Sequence, residues 1–245
     1  MKTLLFYEKP VALNRESHRD VHVEMPSDFS FASGINSVLL SGMEFIEALR
    51  EYPIVFARLE DGRVIPVALL GLRESENLYV LDNGRWDARY VPAFVRRYPF
   101  VLAESTQNKT LTVCIDEAYE GLDADDGQTL FDEEGKETPF LKQLMEFMSQ
   151  YQTDFKRTER FVNHIRSLGL FTEMSAKVEL TDGRNVLLKD FLVVDEKKLQ
   201  DLDKNNAQAL LKSGEMGLVY AHLLSLGNLA RLVDRLAERK APSFH

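Results

Sequence analysis

One cysteine, Cys114, stands in the whole sequence, so no disulfide can close within the chain. That suits a reducing compartment better than an oxidising one. Cys114 lies in Leu-Thr-Val-Cys-Ile, residues 111–115, which predicts a buried strand. A thiol there packs as a small hydrophobe, since activation needs an exposed, electropositive setting. A glycine-rich phosphate loop, a Rossmann fingerprint, a His-Glu-x-x-His helix and a nucleophile elbow are all missing, and no motif calls for a cofactor. Positive charge is scarce, with 30 Lys and Arg against 39 Asp and Glu for a net −9. Nucleic acid is therefore excluded as a partner, because phosphate-backbone binding needs a concentrated basic face. No apolar run approaches the length of a membrane span. The amino terminus opens like a signal peptide, but its apolar run stops at Tyr7 and Glu8-Lys9-Pro10 follow. A soluble, cytoplasmic protein is expected, with leaderless export to the cell surface as the alternative.

What is present reads as a mixture of short strands and helices. An opening strand is expected near Leu4–Tyr7 and another near Val21–Met25. His18 and His22 are four apart, but the alternation of residues 20–24 is that of a strand and no third ligand stands nearby, so they read as surface histidines rather than a metal site. Ser41 or Gly42 caps a helix with Met43, Phe45, Ile46 and Leu49 on one face, ended by Tyr52-Pro53. Residues 54–59 and 64–72 flank Asp61-Gly62 as a hairpin, and Pro66 suggests that the second strand lies partly at an edge. A strand over 77–81 turns at Asp82-Asn83-Gly84, and strands 100–103 and 111–115 are joined by a polar turn over 105–109. The acidic loop 116–137 invites calcium, yet neither register of the EF-hand pattern fits: one puts Leu122 and Ala124 at ligand positions, the other a glycine.

Residues 138–168 form the longest helical region, with Leu141, Leu144, Met148 and Tyr151 in its apolar stripe, His164 beside it and Gly169 as its C-cap. Residues 176–180 and 185–194 flank a second Asp-Gly turn, Asp182-Gly183. Gly214 to Gly217 mark a break, after which Leu218 to Leu236 read as one apolar closing helix that holds His222 in a hydrogen-bonded core position.

The stretch Asn83–Phe100 is set apart by four arginines, the only tryptophan, two tyrosines and two phenylalanines. Arginine offers a planar fork that matches carboxylate or phosphate, and Trp, Tyr and Arg dominate recognition surfaces. Arg85, Trp86, Asp87, Arg89, Tyr90, Arg96, Arg97 and Tyr98 are accordingly the candidate binding residues. The alternative makes Trp86, Tyr90, Phe94 and Tyr98 core anchors while Asp87 and nearby acids pair with the arginines; spacing does not separate the two.

Several runs carry a resemblance. Tyr52-Pro53-Ile54-Val55-Phe56, Ala68-Leu69-Leu70-Gly71-Leu72-Arg73, residues 84–94 with 96–100, residues 130–135, residues 191–199 and residues 223–228 together resemble the SapC family, nearly end to end and in order. The family is named from a surface-layer gene cluster, which implies an envelope role. Its members are also encoded beside TonB-dependent receptors and flavin-dependent halogenase-like proteins, which implies an accessory role in uptake or modification of an organic nutrient or peptide. The resemblance carries no catalytic residues.

The fold expected is α+β: a mostly antiparallel sheet with hairpins packed against a helical C-terminal half. The regions are 1–115, mainly β and holding the arginine–aromatic stretch, the acidic loop 116–137, and 138–245, helical with one hairpin; one domain over 1–240 is the alternative. The function expected is a non-catalytic accessory protein recognising a protein, peptide or anionic small molecule, with homo-oligomerisation left open. An enzyme without a familiar motif, using Asp87 or Glu117 beside the arginines, and an envelope structural protein are the competing readings.

Overall fold

A computed structural model describes residues 5–104, 111–123, 125–179 and 185–239. The strands are β1 (Pro10–Ala12), β2 (His22–Val23), β3 (Ser37–Leu39), β4 (Ile54–Arg58), β5 (Val64–Leu69), β6 (Phe100–Glu104), β7 (Leu111–Asp116), β8 (Gln128–Thr129), β9 (Phe171–Glu179) and β10 (Asn185–Val194). The helices are α1 (Phe45–Ala48), α2 (Ala93–Arg96), α3 (Pro139–Ser167), α4 (Glu196–Gln200), α5 (Lys204–Ser213), α6 (Glu215–Ser225) and α7 (Asn228–Glu238). Among the described residues every strand pairing is antiparallel, and the long helices fall in the second half, which is the α+β class. The turns expected over 105–109 and around Asp182-Gly183 lie outside the described residues.

The main sheet runs β3-β5-β4-β10-β9, so two hairpins from opposite halves of the chain meet edge to edge. Both hairpin expectations hold: Val55 faces Val67 across the first and Val194 faces Phe171 across the second. Pro66 is not at an edge, because β5 lies between β3 and β4. It sits where the neighbouring strand stops. Leu40 N–H donates to Pro66 O at 3.1 Å, and proline has no N–H to return the bond, so β3 ends at Leu39.

At the β4–β10 seam the ladder is short, pairing Phe191 with Ala57 and Leu192 with Phe56. Two residues further along, helix α6 completes it. His222 is fully buried; its Nε2 accepts from Val194 N–H at 3.0 Å and its Nδ1–H donates to Ile54 O at 2.7 Å. Ser225 Oγ accepts the N–H of Ile54 at 2.9 Å. Buried backbone groups must find partners, and here a helix supplies what a strand would. Burial pushes the His222 imidazole down to about 4, so it is held neutral with one nitrogen accepting and one donating.

Thr138 opens α3 by accepting Leu141 N–H at 3.3 Å, and Pro139 occupies the first turn, where its missing N–H costs nothing. Leu141, Leu144, Met148, Tyr151, Thr158, Phe161, Val162 and Ile165 recur at helical spacing and are buried. Gly169, at φ +68°, ends it in the left-handed conformation while Leu170 N–H reaches back to Ile165 O at 3.2 Å. The amino-terminal half of α3 covers the second sheet, β1-β7-β6, through Leu141, Leu144 and Met148 against Phe100 and Ile115. Its carboxy-terminal half joins the main core, which runs from Val38 and Phe56 through Leu192 to Leu232 and Leu236.

Five further local expectations fail. His18 is not a surface histidine: it is buried, with Nδ1 beside Asn14 N–H at 3.1 Å. Residues 5–7 are not a strand; the opening strand is Pro10–Ala12. Residues 77–81 form no strand beyond a bridge from Val80 to Trp86, because Asn77 folds its own side chain back to Tyr79 N–H at 2.9 Å. Met43 and Ile46 are exposed at 66% and 53%, since the capped segment begins as a 3-10 turn and rotates them away from Phe45 and Ala48. The closing helix is two helices, α6 and α7, parted at Leu226-Gly227, and Gly217 lies inside α6 rather than in a break. The expectation that no apolar run approaches the length of a membrane span is also corrected: residues 215–238 are long and apolar enough to cross one by length and composition alone, with a third of the most apolar window buried in the fold.

Candidate functional site

The arginine–aromatic stretch distributes its side chains among five surroundings. Arg85 and Arg89 are exposed. Trp86 is buried: its indole N–H donates to Tyr52 Oη at 2.8 Å, its ring stacks beside Tyr79, and Phe29 meets it edge-on. Asp87 accepts from Arg235 of α7 at 2.7 Å, while Arg235 also reaches Asp87 O and lies 4.4 Å over the Tyr79 ring. Tyr90 donates to Glu44 Oε1 at 2.8 Å. Burial and the Glu44 carboxylate both raise its phenol. Glu44 also takes Ser41 N–H at 2.8 Å and Ala93 N–H at 2.7 Å, so three neutral donors hold this buried carboxylate.

Arg96 and Arg97 part company. Consecutive residues on a helix point about 100° apart, so the short α2 sends one out and one in. Arg96 is exposed, its Nε donating to Val91 O at 2.9 Å and its guanidinium lying over Tyr90 and Phe147. It shares with Tyr98 a shallow groove of about 410 Å³ that Met25, Pro26 and Phe29 also line. Tyr98 is itself buried, stacked on Phe31 with ring centroids 4.2 Å apart. Arg97 is only 4% exposed, held at the C-cap of α2. Its guanidinium lies 4.0 Å over the Phe94 ring, 5.3 Å from that of Tyr151 on α3 and 5.7 Å from that of Tyr7.

Arg97 faces a cleft of about 610 Å³ between α3, β5, β6 and β7. Its buried lining consists of Leu39, Ile65, Val101, Cys114 and Tyr151 beside Arg97 itself. Leu5, Leu59, Leu102 and Phe155 extend the apolar wall, and Arg63, Lys156 and Glu159 stand at the outer rim. Three buried polar atoms of these lining residues have no hydrogen-bond partner among the described residues: Arg97 Nε, Arg97 Nη2 and Tyr151 Oη. No described carboxylate pairs with Arg97. At the rim, by contrast, Arg63 is engaged with Asp61 at 2.7 Å and Glu159 at 3.5 Å.

This arrangement is energetically conspicuous. Taking an ion out of water costs several kcal/mol after relaxation. Aromatic faces return about 0.5–2 kcal/mol each at best. A guanidinium is always charged, so the rings leave it undercompensated. Burial raises the Tyr151 phenol, and it raises Tyr7 to about 12, with the Arg97 charge opposing the shift in both. Burial likewise pushes the Cys114 thiol up, away from the reactive thiolate. Chemically, the cleft presents one cation that no described carboxylate pairs, one phenol donor and an apolar wall, which is a setting for an anion. Among the described residues no group of three or more His, Cys, Asp or Glu could hold a metal ion.

The eight candidate residues therefore do not converge on one surface. Arg97 lines the cleft; Arg96 and Tyr98 share the groove; Trp86 and Tyr90 bond within the fold; Asp87 anchors α7; Arg85 and Arg89 face solvent. Tyr151 and Cys114, which also line the cleft, read in the sequence as core stripe and core strand. One signal was available for Tyr151: a tyrosine in an apolar helix stripe still needs a partner for its hydroxyl.

The family model described as SapC matches residues 13–232 of the chain. No curated protein and no solved structure matches it.

Proposed function

The chain belongs to the SapC family, and from that premise we propose a non-catalytic binding protein whose ligand is an anionic small molecule seated in the Arg97 cleft. The observation that carries this reading is the guanidinium of Arg97, nine-tenths buried, whose Nε and Nη2 have no partner among the described residues, on a cleft of about 610 Å³. That volume is in the range of small-molecule sites, which combine an apolar lining with a few placed polar groups. The nearest thiol is deactivated by burial and the rim carboxylate Glu159 is engaged with Arg63, so the cleft favours holding a ligand over transforming it. A cytoplasmic accessory role in uptake or modification of an organic nutrient, linked to TonB-dependent transport, would supply such a ligand.

The test is a thermal-shift and calorimetric panel of phosphate, acetate, benzoate and octanoate on the full chain and on Arg97→Met. At least one anion should bind the wild type with the variant at least tenfold weaker. If no anion binds the wild type better than the variant, the reading fails.

A further inference from the structure

Resting on that reading, we infer that the ligand is a monocarboxylate with an apolar chain, its head on Arg97 and Tyr151 and its chain along the wall of the cleft.

The head follows from which nitrogens have no partner among the described residues. Nε and Nη2 form one edge of the guanidinium, two parallel N–H donors at the spacing of two carboxylate oxygens. The Tyr151 hydroxyl, buried on the same cleft, supplies a third donor. Charge decides between anions. One cation that no described carboxylate pairs balances one negative charge, and a dianion such as phosphate would carry a second into a lining of Leu39, Ile65, Val101 and Phe155. Lys156 stands exposed at the rim, in solvent and away from the buried end, so it does not alter that balance where the head sits.

The chain follows from the rest of the lining. Burial falls along the cleft, from Arg97, Tyr151 and Ile65 to the exposed Ala103, Leu111 and Lys156, so a ligand entering head first leaves its apolar part against the wall. Each methylene laid against that wall leaves water, and burial of one methylene corresponds to about a fourfold gain in binding constant.

The experiment is isothermal titration calorimetry with acetate, hexanoate, octanoate, phosphate, 1-octanol and octylamine. The proteins are the wild type, Arg97→Met, Tyr151→Phe and Ala103→Trp, each checked by circular dichroism. Wild-type affinity should rise from acetate to octanoate, approaching fourfold per methylene. Octanol, octylamine and phosphate should bind at least tenfold more weakly than octanoate. Tyr151→Phe should weaken octanoate several-fold, and Ala103→Trp, at an exposed wall position, should weaken octanoate without changing acetate. If acetate or phosphate binds as tightly as octanoate and needs Arg97, the chain is overturned and the anion site stands. If octanol equals octanoate and Arg97→Met changes neither, or if nothing binds, both readings are overturned.

Discussion

His222 Nε2 accepts the Val194 N–H at 3.0 Å while the other ring nitrogen bonds Ile54 O, so one neutral imidazole from a helix joins the two hairpins of the main sheet. Protonation would turn the accepting nitrogen into a second donor facing an N–H. The folded imidazole titrates at about 4 against an ordinary 6.5. Between those values the unfolded chain takes up a proton that the folded chain refuses. The stabilisation is full above pH 6.5 and is lost as pH falls toward 4, by roughly 3 kcal/mol. Urea midpoints measured from pH 7.5 to 4 should fall accordingly. His222→Gln, less stable at neutral pH, should flatten that part of the slope; an unchanged slope would refute the assignment.

Replacing Arg97 by methionine should stabilise the protein while abolishing the binding proposed for its cleft. The variant removes a buried cation that no described carboxylate pairs and keeps its bulk; replacing buried ion pairs by apolar groups is neutral to favourable by about 1–4 kcal/mol, and here no partner charge is left stranded. A higher melting temperature in the absence of added ligand is the expected result, and a large drop would mean that the charge has a structural partner.

Trp86 should behave in the opposite way. Trp86→Phe removes the indole N–H that reaches Tyr52 Oη and should lower stability by about 1–3 kcal/mol. Octanoate affinity in the variant should match the wild type, because Trp86 does not line the Arg97 cleft.

Glu44→Ala strands Ser41 N–H, Ala93 N–H and the Tyr90 hydroxyl together. Buried donors left without acceptors cost about 1–3 kcal/mol each, less where water can enter, so a loss of about 3 kcal/mol is expected by chemical denaturation. Tyr90→Phe, which removes one donor and strands nothing, should cost less than half as much.

How far the sequence carried can be judged from these same residues. The hairpins were legible because Asp61-Gly62 and Asp182-Gly183 interrupt apolar runs, and α3 because Thr138, Pro139 and Gly169 bracket a regular stripe. Pro66 misled because a proline can stop the neighbouring strand as well as mark an edge. Residues 77–81 have strand composition, yet the Asn77 side chain competes for the backbone there. Within the arginine–aromatic stretch, residue types were legible and directions were not. Arg96 and Arg97 differ by one position in a helix of four residues, too short for any periodicity to say which faces inward. The second wall of the cleft comes from Tyr151, some fifty residues on, and only packing of α3 beside α2 brings it there.

The imidazole splice has a consequence for how the chain is made. Ile54 emerges from the ribosome early, and the group that accepts its N–H and the ring that takes its carbonyl lie 171 and 168 residues later. Helix α6 must therefore be synthesised before the seam between the hairpins is complete, and until β10 emerges the first hairpin waits with the outer edge of β4 unpaired. Such distant closures fold slowly and leave strand edges exposed meanwhile. Nascent chains halted before residue 215 should be the aggregation-prone ones, and those released after residue 238 should not.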